Sequence, residues 1–235
     1  MTIESEAHEV LTRFWEAIGK PEVARFFPVD SRQLIKSVMG WDCEAKDLVA
    51  IDARPGFSVL GRCMVYEDGR RLVEVATLEV GSRGMWSSPA VQRWTWAHEA
   101  GHIALKHISR SGTVDHDARV VHECRRARSV IGTREPTRNR EEVAAHVFAG
   151  ALLMPEKAFR GQFRERFGND EVWANRAAYS DLLSSDAPPD GPSAADLAKQ
   201  LATQRGESGE SLCDFFGVSR EAGGRRLVEL GLVFS

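Results

Sequence analysis

Two histidines set one helical turn apart constrain this chain more than any other feature. The stretch RWTWAHEAGHIALKH, Arg93 to His107, carries His98 and His102 with Glu99 just after the first. On an α-helix, residues four apart share a face, so both imidazoles can point at one ion. Zn2+ suits this pair, because it takes neutral nitrogen ligands at about 2.0–2.1 Å in a tetrahedral shell. Glu99 would face the mouth of the site, where it can take a proton from an activated water without ligating the ion. Ala97, Ala100, Gly101 and Ala104 are small enough for another backbone to come close, while Trp94, Trp96, Ile103 and Leu105 supply apolar bulk. Residues 90–109 are therefore expected to form a buried helix. Gly101 within it costs about 1 kcal/mol relative to Ala, which implies a packing reason.

A chain of 235 residues, 43% hydrophobic and 28% charged, is long enough to bury a sizeable core. Its formal net charge of −3 argues against a broadly basic nucleic-acid binder. The acidic start MTIESEAHEVLTRFW lacks the basic opening and apolar core of a signal peptide. No apolar run approaches the ~18–20 residues of a membrane span. Cys43, Cys63, Cys124 and Cys213 form no CxxC pair. Free thiols and a cytoplasmic location are the expectation.

Residues 4–19 read as a helix closed by Gly19, with Pro21 just beyond. Asp30 reads as the N-cap of a second helix whose apolar face is Leu34, Ile35, Val38 and Met39, ending before Gly40. Over 48–80, LVAID, FSVLGRCMVY and RRLVEVATLEV are short β-rich runs split by Pro-Gly and Asp-Gly, which predicts a small antiparallel sheet. Residues 110–139 read as polar, basic and irregular. Helical periodicity returns at REEVAAHVFAGALLMPEKAF and breaks at Pro155. The stretch SSDAPPDGPSAAD, 184–196, reads as a linker. The expected organisation is an N-terminal helical segment over 1–47, a catalytic core over 48–183, and a linker with a C-terminal helical unit over 184–235.

Two histidines do not complete a catalytic zinc site, which needs three protein ligands. His107, His116, His122, Cys124, Glu141, Glu142 and His146 follow within reach. Glu142 stands out because it opens EVAAHVFAGALLMP, a helix of small and apolar residues that can pack on the first. A carboxylate there is costly to bury unless it is paired or bound to metal. Glu141 is turned away by about 100° of helix and should face solvent. His146, one turn after Glu142, can hydrogen-bond to a ligand or replace one. Tyr66, His107, His116, His122 and Tyr179 are all eligible to stabilise an oxyanion.

With both helices in view, the chain resembles the ImmA/IrrE family of metallopeptidases. The similarity is carried by RWTWAHEAGHIALKH and EEVAAHVFAGALLMP. FPVDSRQLIKSVMGWD and FFGVSREAGGRRLVELGLV, which are similar to the family's terminal motifs, extend it. The resemblance implies His98, His102 and Glu142 as metal ligands and Glu99 as general base. The family usually has Asn where this chain has His146, a departure that leaves that position's role and the choice between zinc and another divalent ion such as Mn2+ open. The resemblance also implies a substrate class: a helix-turn-helix repressor of mobile elements or stress genes, cut or otherwise inactivated.

The expected architecture is α+β, a zincin-like minimal metallopeptidase domain followed by a C-terminal helical unit of helix-turn-helix outline. The expected function is a cytoplasmic zinc endopeptidase acting on that repressor. Two rivals from other classes are a non-catalytic antagonist that binds the repressor stoichiometrically, and a DNA-binding regulator working through Arg220, Arg225 and Arg226. Glu99 favours the enzyme, since a purely structural site would not need it. The low charge disfavours the DNA binder. A thiolate at Cys124 could instead occupy the open metal position.

Overall fold

The computed structural model describes residues 2–19, 27–48, 57–77, 88–107, 113–115, 118–127, 140–168, 172–173, 193–206 and 209–234, with 57–58, 113–115, 118–127 and 172–173 described by their backbone. The chain divides into two compact units, one of 1–25 with 30–152 and one of 26–29 with 153–235. This differs from the three expected segments. Residues 30–47 group with the sheet to which 42–46 belong, and the break falls before the last residue of the helix Arg140–Leu153. Most of the anticipated linker, 184–192, lies outside the described residues.

In the first unit, α1 (Ile3–Ala17) starts at a reciprocal cap between Thr2 and Ser5. It buries Ala7, Val10, Leu11, Phe14 and Trp15, the spacing of a single apolar stripe. The short α2 (Ser31–Leu34) begins where Asp30 accepts the Gln33 N–H at 2.9 Å. It runs into a π-helical turn, Ile35–Met39, that ends at left-handed Gly40.

Five strands follow: β1 (Asp42–Lys46), β2 (Phe57–Tyr66), β3 (Arg71–Ala76), β4 (Thr113–Asp115) and β5 (Ala118–Ala127). Their order is β1-β3-β2-β5-β4. The sheet is mixed rather than antiparallel, because β1 runs parallel to β3. It also begins earlier than expected, at Asp42. Only Cys43 of β1 is buried, so DCEAK carries almost no apolar signal. By contrast, Leu72, Val73, Glu74 and Val75 of β3 are all buried, and the Glu74 carboxylate is paired there with Arg62 at 2.7 Å and Lys46 at 3.0 Å. LVAID supplies no described strand; Leu48 is buried outside one and 49–52 lie beyond the described residues.

The second correction concerns 110–139, read above as irregular. Residues 113–127 contain the β4–β5 pair, and β5 lies along nearly the whole of β2. ARVVHECRRA has no alternating apolar pattern, and its strand state depends on a partner about sixty residues away in sequence. Such non-local pairing is what local propensity cannot report.

On the sheet face that holds Gly61, Cys63, Val73 and Val75 packs α3 (Pro89–Ala104), capped by Ser88 with Pro89 in its first turn. The chain reaches α4 (Arg140–Leu153) after segments outside the described residues.

The second unit is mainly helical: α5 (Glu156–Phe167), α6 (Ala194–Thr203), α7 (Leu212–Phe216) and α8 (Arg220–Glu229), with β6 (Val172–Trp173) parallel to β7 (Val233–Phe234). The helix break at Pro155 is where the sequence placed it. A Cβ on Gly224 would lie 2.8–2.9 Å from atoms of Lys199, so this face of α8 is pressed onto α6. Arg226 is buried and donates to the Met154 carbonyl at 3.0 Å. The exposed residues of α8 are Arg220, Glu221, Arg225, Val228 and Glu229, a surface of balanced charge. Among the described residues no helix is long and apolar enough to cross a membrane.

Candidate metal centre

The eight consecutive residues Thr95–His102 of α3 are all buried. A helix covered all round cannot rely on an amphipathic stripe, and its polar side chains must find partners inside. His98, Glu99 and His102 are each fully buried.

α4 reaches them because Gly101 lacks a side chain. A Cβ there would stand 3.1 Å from both the Cα and the carbonyl oxygen of Ala145 and 3.2 Å from the Cβ of Phe148. This close crossing supplies the packing reason anticipated for Gly101. It sets Glu142, one turn before Ala145's neighbour His146, opposite the two histidines.

His98 Nε2 and His102 Nε2 are 3.0 Å apart. The Glu142 carboxylate places Oε2 3.2 Å from His98 Nε2 and Oε1 3.7 Å from His102 Nε2. Bonds of about 2.0–2.1 Å in a tetrahedral shell imply ligand–ligand edges of about 3.3 Å. The three observed separations bracket that edge, so the donor set fits a small divalent ion. The side chain of Glu142 is 29% exposed, which leaves an approach from solvent on the side of the carboxylate. Glu141 is exposed, as expected.

Contrary to the expectation that it faces the mouth of the site, Glu99 is fully buried and points to the sheet. Its Oε2 accepts from the Cys63 thiol at 3.2 Å. A Cβ on Gly61 would come within 2.8 Å of its Oε1 and of Thr95 Cγ2. Nothing in the local sequence marks Gly61 or Cys63 as a neighbour of Glu99. Cys63 read as an ordinary buried thiol, and its distance along the chain from Glu99 hides the contact. His146 lies beside His98, ring centroids 4.5 Å apart, and beside Trp94 at 6.2 Å.

The remaining candidates separate clearly. His107 touches His102 Nδ1 through its own Nδ1 at 3.1 Å. That nitrogen is the one opposite the Nε2 that meets His98 and Glu142. Tyr66 instead packs with Met64 and Leu72 and under the Arg70 guanidinium at 3.8 Å. In β5, the backbone of His122 pairs with Cys63 and that of Cys124 with Gly61. Those are register positions opposite the two β2 residues nearest Glu99. His116 and Tyr179 lie outside the described residues.

Residues 85–180 match the family model Peptidase_M78, the IrrE N-terminal-like domain. No curated protein and no solved structure gives a match to the chain. The matched segment contains α3 and α4 whole, and with them His98, Glu99, His102 and Glu142. Over residues 85–180 the chain is therefore similar to the IrrE N-terminal-like domain, a likeness that supports a metallopeptidase of the ImmA/IrrE type.

Proposed function

We propose that this chain is a zinc-dependent endopeptidase of the cytoplasm that cleaves a helix-turn-helix repressor. The observation that carries the reading is the convergence of His98, His102 and Glu142 within tetrahedral ligand spacing, with the buried carboxylate of Glu99 on the same helix. A zinc ion held there would supply a Lewis acid that polarises a peptide carbonyl and acidifies water.

Glu99 is the group to take the proton from the attacking water and pass it to the leaving amine. The Cys63 thiol and the tight space over Gly61 hold the Glu99 carboxylate in one orientation. The partly exposed side of Glu142 is where an extended substrate would enter. The repressor as substrate follows from the family likeness. The balanced charge of α8 and the burial of Arg226 give no support to DNA binding by the C-terminal unit.

Glu99→Gln tests the chemistry, because it keeps the side chain's size while removing the base. The repressor that co-purifies with this variant is incubated with each form and weighed by mass spectrometry. The wild type should cut it at a defined bond. Glu99→Gln should keep about one zinc per chain and leave the repressor whole, whereas Glu142→Ala should lose most of the metal. If Glu99→Gln relieves repression as fully as the wild type, stoichiometric antagonism replaces proteolysis.

A further inference from the structure

We propose that His107 is a positioning residue: its Nδ1 accepts a hydrogen bond from the His102 Nδ1–H and so holds His102 Nε2 ready for the metal. The inference rests on the metal-site reading above and adds a residue to it.

The local fold delivers His107 to this place. Leu105 is the C-cap of α3, and Lys106 follows at φ 57°, in the left-handed region. The Lys106 N–H bonds to the Ile103 carbonyl at 3.2 Å, and the His107 N–H to the His102 carbonyl at 3.0 Å. These two bonds are the paired closures of a Schellman motif. In that motif the residue after the left-handed position commonly touches the residue five before it. Here those two side chains are imidazoles, with ring centroids 5.1 Å apart.

The proton assignment follows from the geometry. A neutral imidazole carries one proton. His102 Nε2 lies 3.0 Å from His98 Nε2 and 3.7 Å from Glu142 Oε1, so it is the nitrogen offered to an ion. A nitrogen that ligates must present its lone pair, which leaves the proton on Nδ1. That Nδ1 is 3.1 Å from His107 Nδ1, a hydrogen-bond distance. His107 in its Nε2–H form presents a lone pair there. Ligating histidines usually donate their other N–H to an acceptor, which fixes both tautomer and ring orientation. His107 supplies that acceptor from the same helix end that carries the ligand. An oxyanion-stabilising role for His107 is less consistent with this placement, because its Nδ1 is engaged on the far side of the His102 ring.

The test compares zinc affinity, by competition with a chromogenic chelator, in the wild type, His107→Leu, His107→Asn and His102→Ala. Asn offers an amide oxygen close to where Nδ1 of histidine stands, so it can accept the same proton. His107→Leu should bind zinc about 10–100-fold more weakly, and His107→Asn should recover most of that loss. Nitrogen-15 NMR of the zinc-loaded wild type supplies a readout that does not depend on any variant folding: His102 should carry its proton on Nδ1 and His107 on Nε2. Zinc affinity unchanged in His107→Leu, equal losses in Leu and Asn, or a proton on His107 Nδ1 in the zinc-loaded protein would each overturn the assignment. Failure of the metal reading itself looks different, since the wild type and His102→Ala would then bind zinc equally poorly.

Discussion

Replacing Gly101 by Ala sets two known effects against each other at the crossing of α3 and α4. In an open helix the substitution should stabilise by about 1 kcal/mol through helix propensity. At this crossing the new methyl would meet Ala145 Cα and carbonyl oxygen at 3.1 Å and Phe148 Cβ at 3.2 Å. Carbon atoms prefer about 3.5–4.0 Å, so each contact is short by a few tenths of an ångström. Two of the three atoms are backbone and cannot rotate away, so the helices must part. Overpacking of this kind costs about 1–3 kcal/mol, which gives a net loss of up to about 2 kcal/mol. His98 and His102 come from one helix and Glu142 from the other. Metal–ligand distances tolerate only about ±0.2 Å, so zinc affinity should fall as well. Gly161 on α5 is the control, because a Cβ there meets nothing within 4 Å. Urea unfolding should show Gly161→Ala stabilised by about 1 kcal/mol with zinc binding intact, and Gly101→Ala stabilised not at all. Equal stabilisation by both, with zinc affinity unchanged in Gly101→Ala, would refute the close crossing.

Two further outcomes test local features away from the ligands. Lys106 is the one non-glycine residue with positive φ among the described residues. Left-handed backbone costs an L-residue roughly 1–2 kcal/mol, so Lys106→Gly should raise stability in urea by about 0.5–1 kcal/mol after the entropy cost of glycine while leaving zinc affinity unchanged. In α7, the Ser211 hydroxyl, and then its backbone N–H, hold the Asp214 carboxyl below its ordinary 3.8. A depressed folded pKa gives stability that is present above the unfolded value and lost as pH falls through the folded one. Ser211→Ala should cost about 1 kcal/mol at pH 7 through the lost cap, and urea titrations should show the gap to wild type narrowing but not vanishing below about pH 4, because the cap bond to the Asp214 N–H does not titrate.

Local sequence by itself determined the elements that carry chemistry. The i, i+4 spacing of His98 and His102 settles their shared face as soon as the segment is helical. The small residues around Gly101 announced a close neighbour, and the apolar helix opening at Glu142 was the partner able to supply it. Asp30, Gly40 and Pro155 marked helix ends because capping and proline effects act within a turn or two. Each of these depends on residues a few positions apart, which is the range over which sequence patterns speak.

Only tertiary structure decided the rest. β1 has a single buried residue and exists because β3 lies beside it in parallel. The strand in ARVVHECRRA exists because β2 offers its hydrogen-bonding edge. Cys63 meets Glu99 from thirty-six residues away, through a sheet whose register no local window contains. The His107–His102 contact is an intermediate case. The two residues are near in sequence, but their meeting depends on a lysine adopting the left-handed backbone that glycine normally supplies. Strand pairing and backbone strain are properties of the whole fold, because the hydrogen bonds and packing that sustain them come from elsewhere in the chain.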